Sequence, residues 1–223
     1  MRRRVFFGIY TLLLTAAVYG QGFTGPGSEG LIVMTGRTIT VSEARNLSND
    51  SWVVLSGNII NMLPGGRQYT FRDATGDIAV DIGPKEWRGL SVDAADRVEI
   101  YGEVKISRGQ IHIKVHAITG TGRINNRQGQ PVTITHPITV SEARNLPHDS
   151  FVVLTGNIIN MLPNGRHNYT FADATGEITV DIGAKEWRGL SVGVSDRVEI
   201  YGEVKISRLQ IHIKVHAIGR TEV

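Results

Sequence analysis

A stretch of this chain is written twice. The segment Ile39–Leu47 returns at Ile138–Leu146, an offset of 99 residues, and after the loop Gly65-Gly66-Arg67-Gln68 gains one residue in the second copy the offset becomes 100. Between Tyr69–Ile118 and Tyr169–Ile218, 42 of 50 positions are identical. A repeat of this length is far longer than the ~20–50 residues of a solenoid unit, so each copy has to bury a core of its own. The spacing therefore predicts two beads: a first domain over 36–119, a polar, glycine-rich linker over 120–134 and a second domain over 135–220.

Within one copy, Thr40 followed by Glu43 reads as a capping box, and Val41, Ala44 and Leu47 share one helical face, which predicts a short opening helix. Five strand signals follow at Ser51–Met62, Gln68–Arg72, Ile78–Ile82, Arg97–Lys105 and Gln110–Ile118. Gly57 and Gly102 read as bulges, and Asp73-Ala74-Thr75-Gly76 as a tight turn. Five strands in about 80 residues, bent by glycines, suit a small closed Greek-key barrel. The predicted fold is all-β: two tandem five-stranded barrels, each preceded by a short helix.

Charge and the N-terminal segment narrow the compartment and the partners. The 223 residues include 24 Lys and Arg, 21 Asp and Glu, and no cysteine. The basic excess sits at Arg2, Arg3 and Arg4, ahead of the apolar run Val5–Val18 and the small residues up to Gly20. This is the pattern of a cleaved signal peptide over 1–20, followed by a flexible segment over 21–35, and the run is shorter than the ~20 residues of a spanning helix. Its removal leaves 21 basic and 21 acidic residues. Nucleic-acid affinity draws on counterion release by a basic excess, so nucleic acid is a disfavoured partner of the processed chain. No later segment is apolar enough to span a bilayer, and no cysteine follows the apolar run to carry a lipid. Thiol nucleophiles and disulfides are excluded, and each domain must stand on its own core.

At Gly22–Gly27, Thr40–Ala44, Trp52–Ile59, Tyr69–Gly76, Val80–Ile82, Trp87–Gly89 and Val98–Val104 the sequence resembles the BOF (bacterial OB-fold) family of periplasmic stress-tolerance proteins. The resemblance covers almost the entire first copy and returns over Pro137–Ile218, with Phe171–Gly176, Trp187–Gly189 and Gly202–Val204 as its most specific strings. It implies an OB barrel exported to the periplasm, non-enzymatic, without a cofactor, serving envelope stress tolerance. The implied partner is a small molecule, a glycan or anionic polymer, or an envelope protein. Two alternatives are a single-stranded nucleic-acid binder and a structural or chaperone-like module. A monomer is the expected state.

OB folds generally bind across strands two and three, between the first and last hairpin loops. Projected onto this sequence, that surface carries Arg67, Tyr69, Asp81 and Arg108 in the first copy and Arg166, Tyr169, Asp181 and Arg208 in the second. Tyr69 shares its parity with Phe71, so a core position is the competing reading. Lys85, Trp87 and Arg88, repeated as Lys185, Trp187 and Arg188, place an aromatic beside cations, where it could stack on a sugar or base or simply plug the barrel. The last strand alternates Ile111, Ile113 and Val115 with His112, Lys114 and His116, and the second copy repeats His212, Lys214 and His216. This stripe reads as an outer strand face, solvated or reading an acidic ligand. Residues four apart on a strand lie about 13 Å apart, too far for His112 and His116 to share a metal, or for Asp77 and Asp81 to act as paired catalytic carboxylates. No catalytic residue and no metal site is therefore expected.

Overall fold

The computed structural model describes residues 37–120, 132–163, 167–208 and 210–221, and the backbone of 23–24 and 123–124. The predicted signal peptide and most of segments 21–35 and 120–134 lie outside the described residues. In chain order the first copy comprises β1 (Phe23–Thr24), α1 (Val41–Ala44), β2 (Trp52–Met62), β3 (Gln68–Asp73), β4 (Gly76–Asp81), α2 (Pro84–Trp87), β5 (Leu90–Ser91), β6 (Arg97–Ser107) and β7 (Gln110–Gly120). Next come β8 (Arg123–Ile124) and β9 (Thr133–Ile138), then α3 (Val140–Ala143), β10 (Phe151–Met161), β11 (Asn168–Asp173), β12 (Gly176–Asp181), α4 (Ala184–Trp187), β13 (Ser191–Val192), β14 (Arg197–Ser207) and β15 (Gln210–Arg220).

Strands β2, β3, β4, β7 and β6 close into a barrel in that order, with β4 and β7 parallel and the other pairs antiparallel. The second copy repeats the circuit through β10, β11, β12, β15 and β14, and adds β9 in parallel beside β10. The protein is thus all-β, two closed five-stranded barrels each led by a short helix, as the sequence predicts. Alternation fills the first barrel with Val53, Leu55, Phe71, Val80, Ile100 and Ile113, and the second with their counterparts.

The capping boxes form as read, at Thr40 with Glu43 and at Thr139 with Glu142. The tight turn does a second job that its sequence does not announce. Asp73 Oδ2 accepts from the Val41 N–H at 2.8 Å, and Thr75 Oγ1 from the Ser42 N–H at 3.0 Å, so the turn between β3 and β4 caps α1 from a distant part of the chain.

The glycines resolve differently from one another. Gly57 is not the bulge: the register of β2 against β3 breaks between Ile59 and Asn61. Gly57 is required by close approach, because a Cβ there would stand 2.3 Å from the Arg72 carbonyl oxygen and 2.8 Å from the Phe71 ring. At Gly102 the register does break, and the extra residue, His116, lies on β7.

The expectation of two separate beads fails. A third apolar cluster, distinct from both barrel cores, joins Trp52, Val54, Tyr101 and Ala117 of the first copy to Phe151, Val153, Tyr201 and Ala217 of the second. These residues are the outward-facing partners of the core residues on β2, β6, β7 and their counterparts, so each barrel covers the outer face of the other. The short arms are exchanged as well: β1 pairs with β13 of the second copy, and β8 pairs with β5 of the first. Two copies of one sequence related in this reciprocal way form the intramolecular equivalent of an isologous dimer.

Candidate ligand groove and inter-barrel interface

The second barrel carries an open groove of about 860 Å³ between the loop after β10 and the hairpin of β14 and β15. Arg144, Asn168, Thr179, Arg208 and His212 supply its polar lining, beside the apolar Ile211 and Leu162, and among the described residues none that lines it is a carboxylate. Arg144 comes from the end of α3, where its guanidinium donates to the Glu177 carbonyl and is thereby oriented. Arg208 stands at the hairpin tip in the left-handed region, φ 48°, as does Arg108 in the first copy, φ 50°. His212 sits beside Thr179 in the parallel pairing of β12 and β15.

The sequence-derived residues separate into three groups. Arg208 and His212 converge on the groove, and Lys214 lies one step along β15, opposite Asp181. The first copy matches this placement: His112 beside Ala79, and Lys114 opposite Asp81. Arg67 faces Asp81 at 3.5 Å, while Arg166 lies outside the described residues. Tyr69 and Trp87 meet edge to face at 5.4 Å, Tyr169 and Trp187 at 5.2 Å. Trp187 is 1 % exposed, a core plug; Trp87 packs on the first core but also lines an open cleft with Tyr69 and Met62.

Lys85 and Lys185 belong to the third group, which faces the opposite barrel. Lys85 Nζ lies 3.4 Å from Glu203 of the second copy, and Lys185 Nζ 3.5 Å from Glu103 of the first. Arg88, with a side chain only 5 % exposed, reaches Glu203 at 3.5 Å and donates to the Asp149 carbonyl at 2.7 Å. Its backbone is left-handed at φ 42°, as is that of Arg188 at φ 46°, and Asp149 is left-handed too. Six such residues in matched positions of both copies locate retained backbone strain at the two hairpin tips and along this interface.

Glu103 and Glu203 anchor the network, each 1 % exposed. Lys105 Nζ lies 2.6 Å from Glu103 and also pairs with Asp50; Lys205 repeats this with Glu203 and Asp149. Burial by itself would raise both carboxyls, but histidine and lysine neighbours outweigh it and hold them well below the usual carboxylate range. Burial also lowers Arg88, against the pull of Glu203, Glu86 and Asp149. Burial opposes the charge of Lys105 and Lys205 too, yet their carboxylate partners raise both.

His116 and His216 do lie on the outer strand face, as alternation predicts, but the opposite barrel covers that face and both are buried. Sequence reasoning missed Arg144, Glu103, Glu203, Tyr101 and Tyr201. The available signal was the verbatim return of Tyr101–Lys105 and Lys85–Gly89 in the second copy, together with Val53-Val54-Leu55, a run too apolar for a strand with one solvated face. Among the described residues no cluster of three or more His, Asp or Glu is placed to hold a metal.

Comparison with known proteins gives a consistent result. The family model described as bacterial OB fold (BOF) protein matches residues 21–120 and again 122–220. Protein YgiW of Escherichia coli K12 is 39% identical over 102 residues, covering 44% of this chain and 78% of YgiW. The calcium-regulated OB-fold protein CarO of Pseudomonas aeruginosa is 35% identical over 92 residues, covering 41% of this chain and 73% of CarO. The solved structure of the hypothetical protein ygiW from E. coli is 40% identical, covering 38% of this chain and 90% of that one, with a TM-score of 0.37.

Proposed function

Because the chain belongs to the bacterial OB-fold (BOF) family, with the domain present twice, we propose that it is a non-enzymatic binding protein of the bacterial periplasm. In this reading it contributes to envelope stress tolerance by holding an anionic glycan or related envelope polymer in its barrel grooves. The observation that carries this reading is the groove of the second barrel, where Arg144, Arg208 and His212 converge without a carboxylate among the described lining residues. Such a surface favours an acidic polymer, and side chains such as Asn168 and Thr179 offer the amide and hydroxyl contacts that orient sugar hydroxyls.

With the domain present twice, the chain offers two equivalent sites, and docking of the barrels sets how they act together. On a flexible linker the second site would sample a broad range of spacings; within one docked body it engages only a polymer whose repeat matches the distance between grooves. Avidity becomes a test of ligand length.

Calorimetric titration with uronic-acid oligosaccharides of increasing length tests the reading. Binding that strengthens with length, and weakens at least tenfold in Arg108→Glu/Arg208→Glu, is expected. Equal affinity of that variant and the native chain refutes the groove. Retention of single-stranded oligonucleotides with steep salt dependence, and none of the glycan, transfers the site to nucleic acid.

A further inference from the structure

Two imidazoles occupy the centre of the inter-barrel interface, and ligand binding in the grooves makes no use of them. His116 and His216 lie ring to ring, centroids 4.2 Å apart and planes 31° from parallel. They are 6 % and 7 % exposed, and the Nε2 atom of each lacks a hydrogen-bond partner. Trp52 stacks on His116 at 5.6 Å and also meets Tyr201, tilted, at 5.6 Å.

The surroundings are charged from every side. From β6 and β14 come Glu103 and Glu203, whose Oε1 atoms stand 3.7 and 3.8 Å from the Nε2 atoms of His116 and His216, with Lys105 and Lys205 beyond them. Tyr101 and Tyr201 on the same strands donate to Glu99 and Glu199. From α2 and its cap come Lys85, Glu86 and Arg88. From α4 come Lys185 and Glu186, with Arg188 within the field of Glu103 and Asp50. The loops before β2 and β10 add Asp50 and Asp149, the latter beside the exposed His148. Six lysines and arginines thus face the six carboxylates Asp50, Glu86, Glu103, Asp149, Glu186 and Glu203 and balance them with both buried histidines neutral, while Glu99 and Glu199, which hold the tyrosine hydroxyls, bring the carboxylates around the pair to eight. A proton on one ring places a positive charge against its neighbour in a low-dielectric setting, and a second proton places two like charges in face contact.

We propose that the stacked pair His116–His216 is an acid latch: neutral imidazoles permit the barrels to dock, and protonation below neutral pH loosens the docking while each barrel stays folded. Burial pushes the His216 imidazole down to about 4, with Glu203 opposing and His116 assisting. Undocking returns the ring to water, where its ordinary value is about 6.5. Between those two values the undocked form binds more protons, so docking is at full strength above pH 6.5 and is lost as pH falls toward 4. Glu103, Glu203 and Asp149 are held below the usual carboxylate range and lose their charge only at lower pH, which separates their effect from that of the histidines.

The chain has no cysteine, so a single introduced thiol reports opening. Val153→Cys places it inside the interface, where the native residue is 1 % exposed; Val80→Cys places it in a barrel core, and Ser107→Cys on the surface. Labelling with a disulfide reagent that reacts in acid, normalised to the surface thiol, is measured in the full chain from pH 7.5 to 4.5. The interface thiol is expected to gain on the order of 10²-fold in relative rate. The core thiol stays protected, and His116→Gln/His216→Gln flattens the rise. A flat profile in the native pair, an equal rise in the double variant, or an equal rise at the core thiol overturns the latch. Should the double variant fail to dock at neutral pH, the NMR titration of His216 in the native chain decides. A midpoint well below 6.5 supports the latch, and one at or above 6.5 overturns it.

Discussion

Truncating Phe151 to alanine separates the stability of the docked body from that of its barrels. Phe151 is fully buried, yet it belongs to the inter-barrel cluster rather than to the second core, and its ring meets Tyr101 of the first copy at 5.6 Å. Removing a buried phenylalanine side chain costs about 3–5 kcal/mol through lost transfer energy and the cavity left behind. Because the neighbours of this ring come from both copies, that cost falls on docking, and 3 kcal/mol is already about a 150-fold loss in the docking constant. Ile158→Ala provides the control: it lies on the same strand and is fully buried, but its side chain belongs to the second core. Scanning calorimetry distinguishes the two. The native chain is expected to unfold as one coupled transition at neutral pH; Phe151→Ala splits it into two, whereas Ile158→Ala lowers the transition of the second barrel itself. A single transition displaced by less than about 2 °C in Phe151→Ala, which corresponds to under 1 kcal/mol in a chain of this size, would falsify the assignment of this ring to an energetically significant interface.

Three further outcomes follow from particular contacts. Glu203→Gln removes the carboxylate that faces Lys85, Arg88 and Lys205; a loss of about 3–5 kcal/mol in urea titrations at neutral pH is expected, since the buried Arg88 guanidinium loses its carboxylate partner, and a loss below 1 kcal/mol contradicts it. Gly57→Ala and Gly156→Ala drive a methyl group to within 2.3 and 2.2 Å of a backbone carbonyl oxygen; each should destabilise its own barrel by about 3 kcal/mol or more, and a melting temperature within 2 °C of native would show that the strands separate at little cost. Asp73 and Asp173 have their carboxyls lowered: burial opposes this, but the Thr75 or Thr175 hydroxyl and three backbone N–H donors outweigh it. Their contribution is therefore present above pH ~4 and lost as pH falls below it. Asp73→Asn/Asp173→Asn should flatten the dependence of the urea midpoint on pH between 5 and 2, and an unchanged slope would assign acid sensitivity to other carboxylates.

Much of the fold could be read from local chemistry. Strand periodicity, the Thr-x-x-Glu capping boxes and the Asp-Ala-Thr-Gly turn each act over a few residues, and each appears where it was expected. The first exception is Gly57. A glycine inside a strand signals either an extra residue or a close neighbour, and only the position of Phe71 and the Arg72 carbonyl, brought in by β3, decides between them. The second is the turn itself, whose Asp73 and Thr75 cap a helix more than thirty residues earlier in the chain.

The candidate site residues divide along the same physical line. Arg208 could be placed at the rim of a binding surface because an OB topology fixes which hairpin borders it, and His212 on an outer strand face because alternation puts it there. Lys85, Arg88 and His116 could not be placed, because alternation assigns a residue to the outside of its own barrel and is silent on what covers that outside. Whether an outer face meets water or a second barrel depends on chemistry that both faces must share. On β2, Val53 and Leu55 point into the barrel while Trp52 and Val54 point out, and all four are apolar. Such a strand is paired with a burial on each face, and in a chain holding two nearly identical barrels the partner able to provide the outer burial for one copy is the matching strand of the other. The same reasoning accounts for the cationic Lys-Glu-Trp-Arg-Gly segment: its lysine and arginine find their carboxylates on the opposite copy, Lys85 and Arg88 at Glu203, Lys185 at Glu103. A motif that looks like a ligand site in one copy is, in two copies, the means by which each barrel recognises the other.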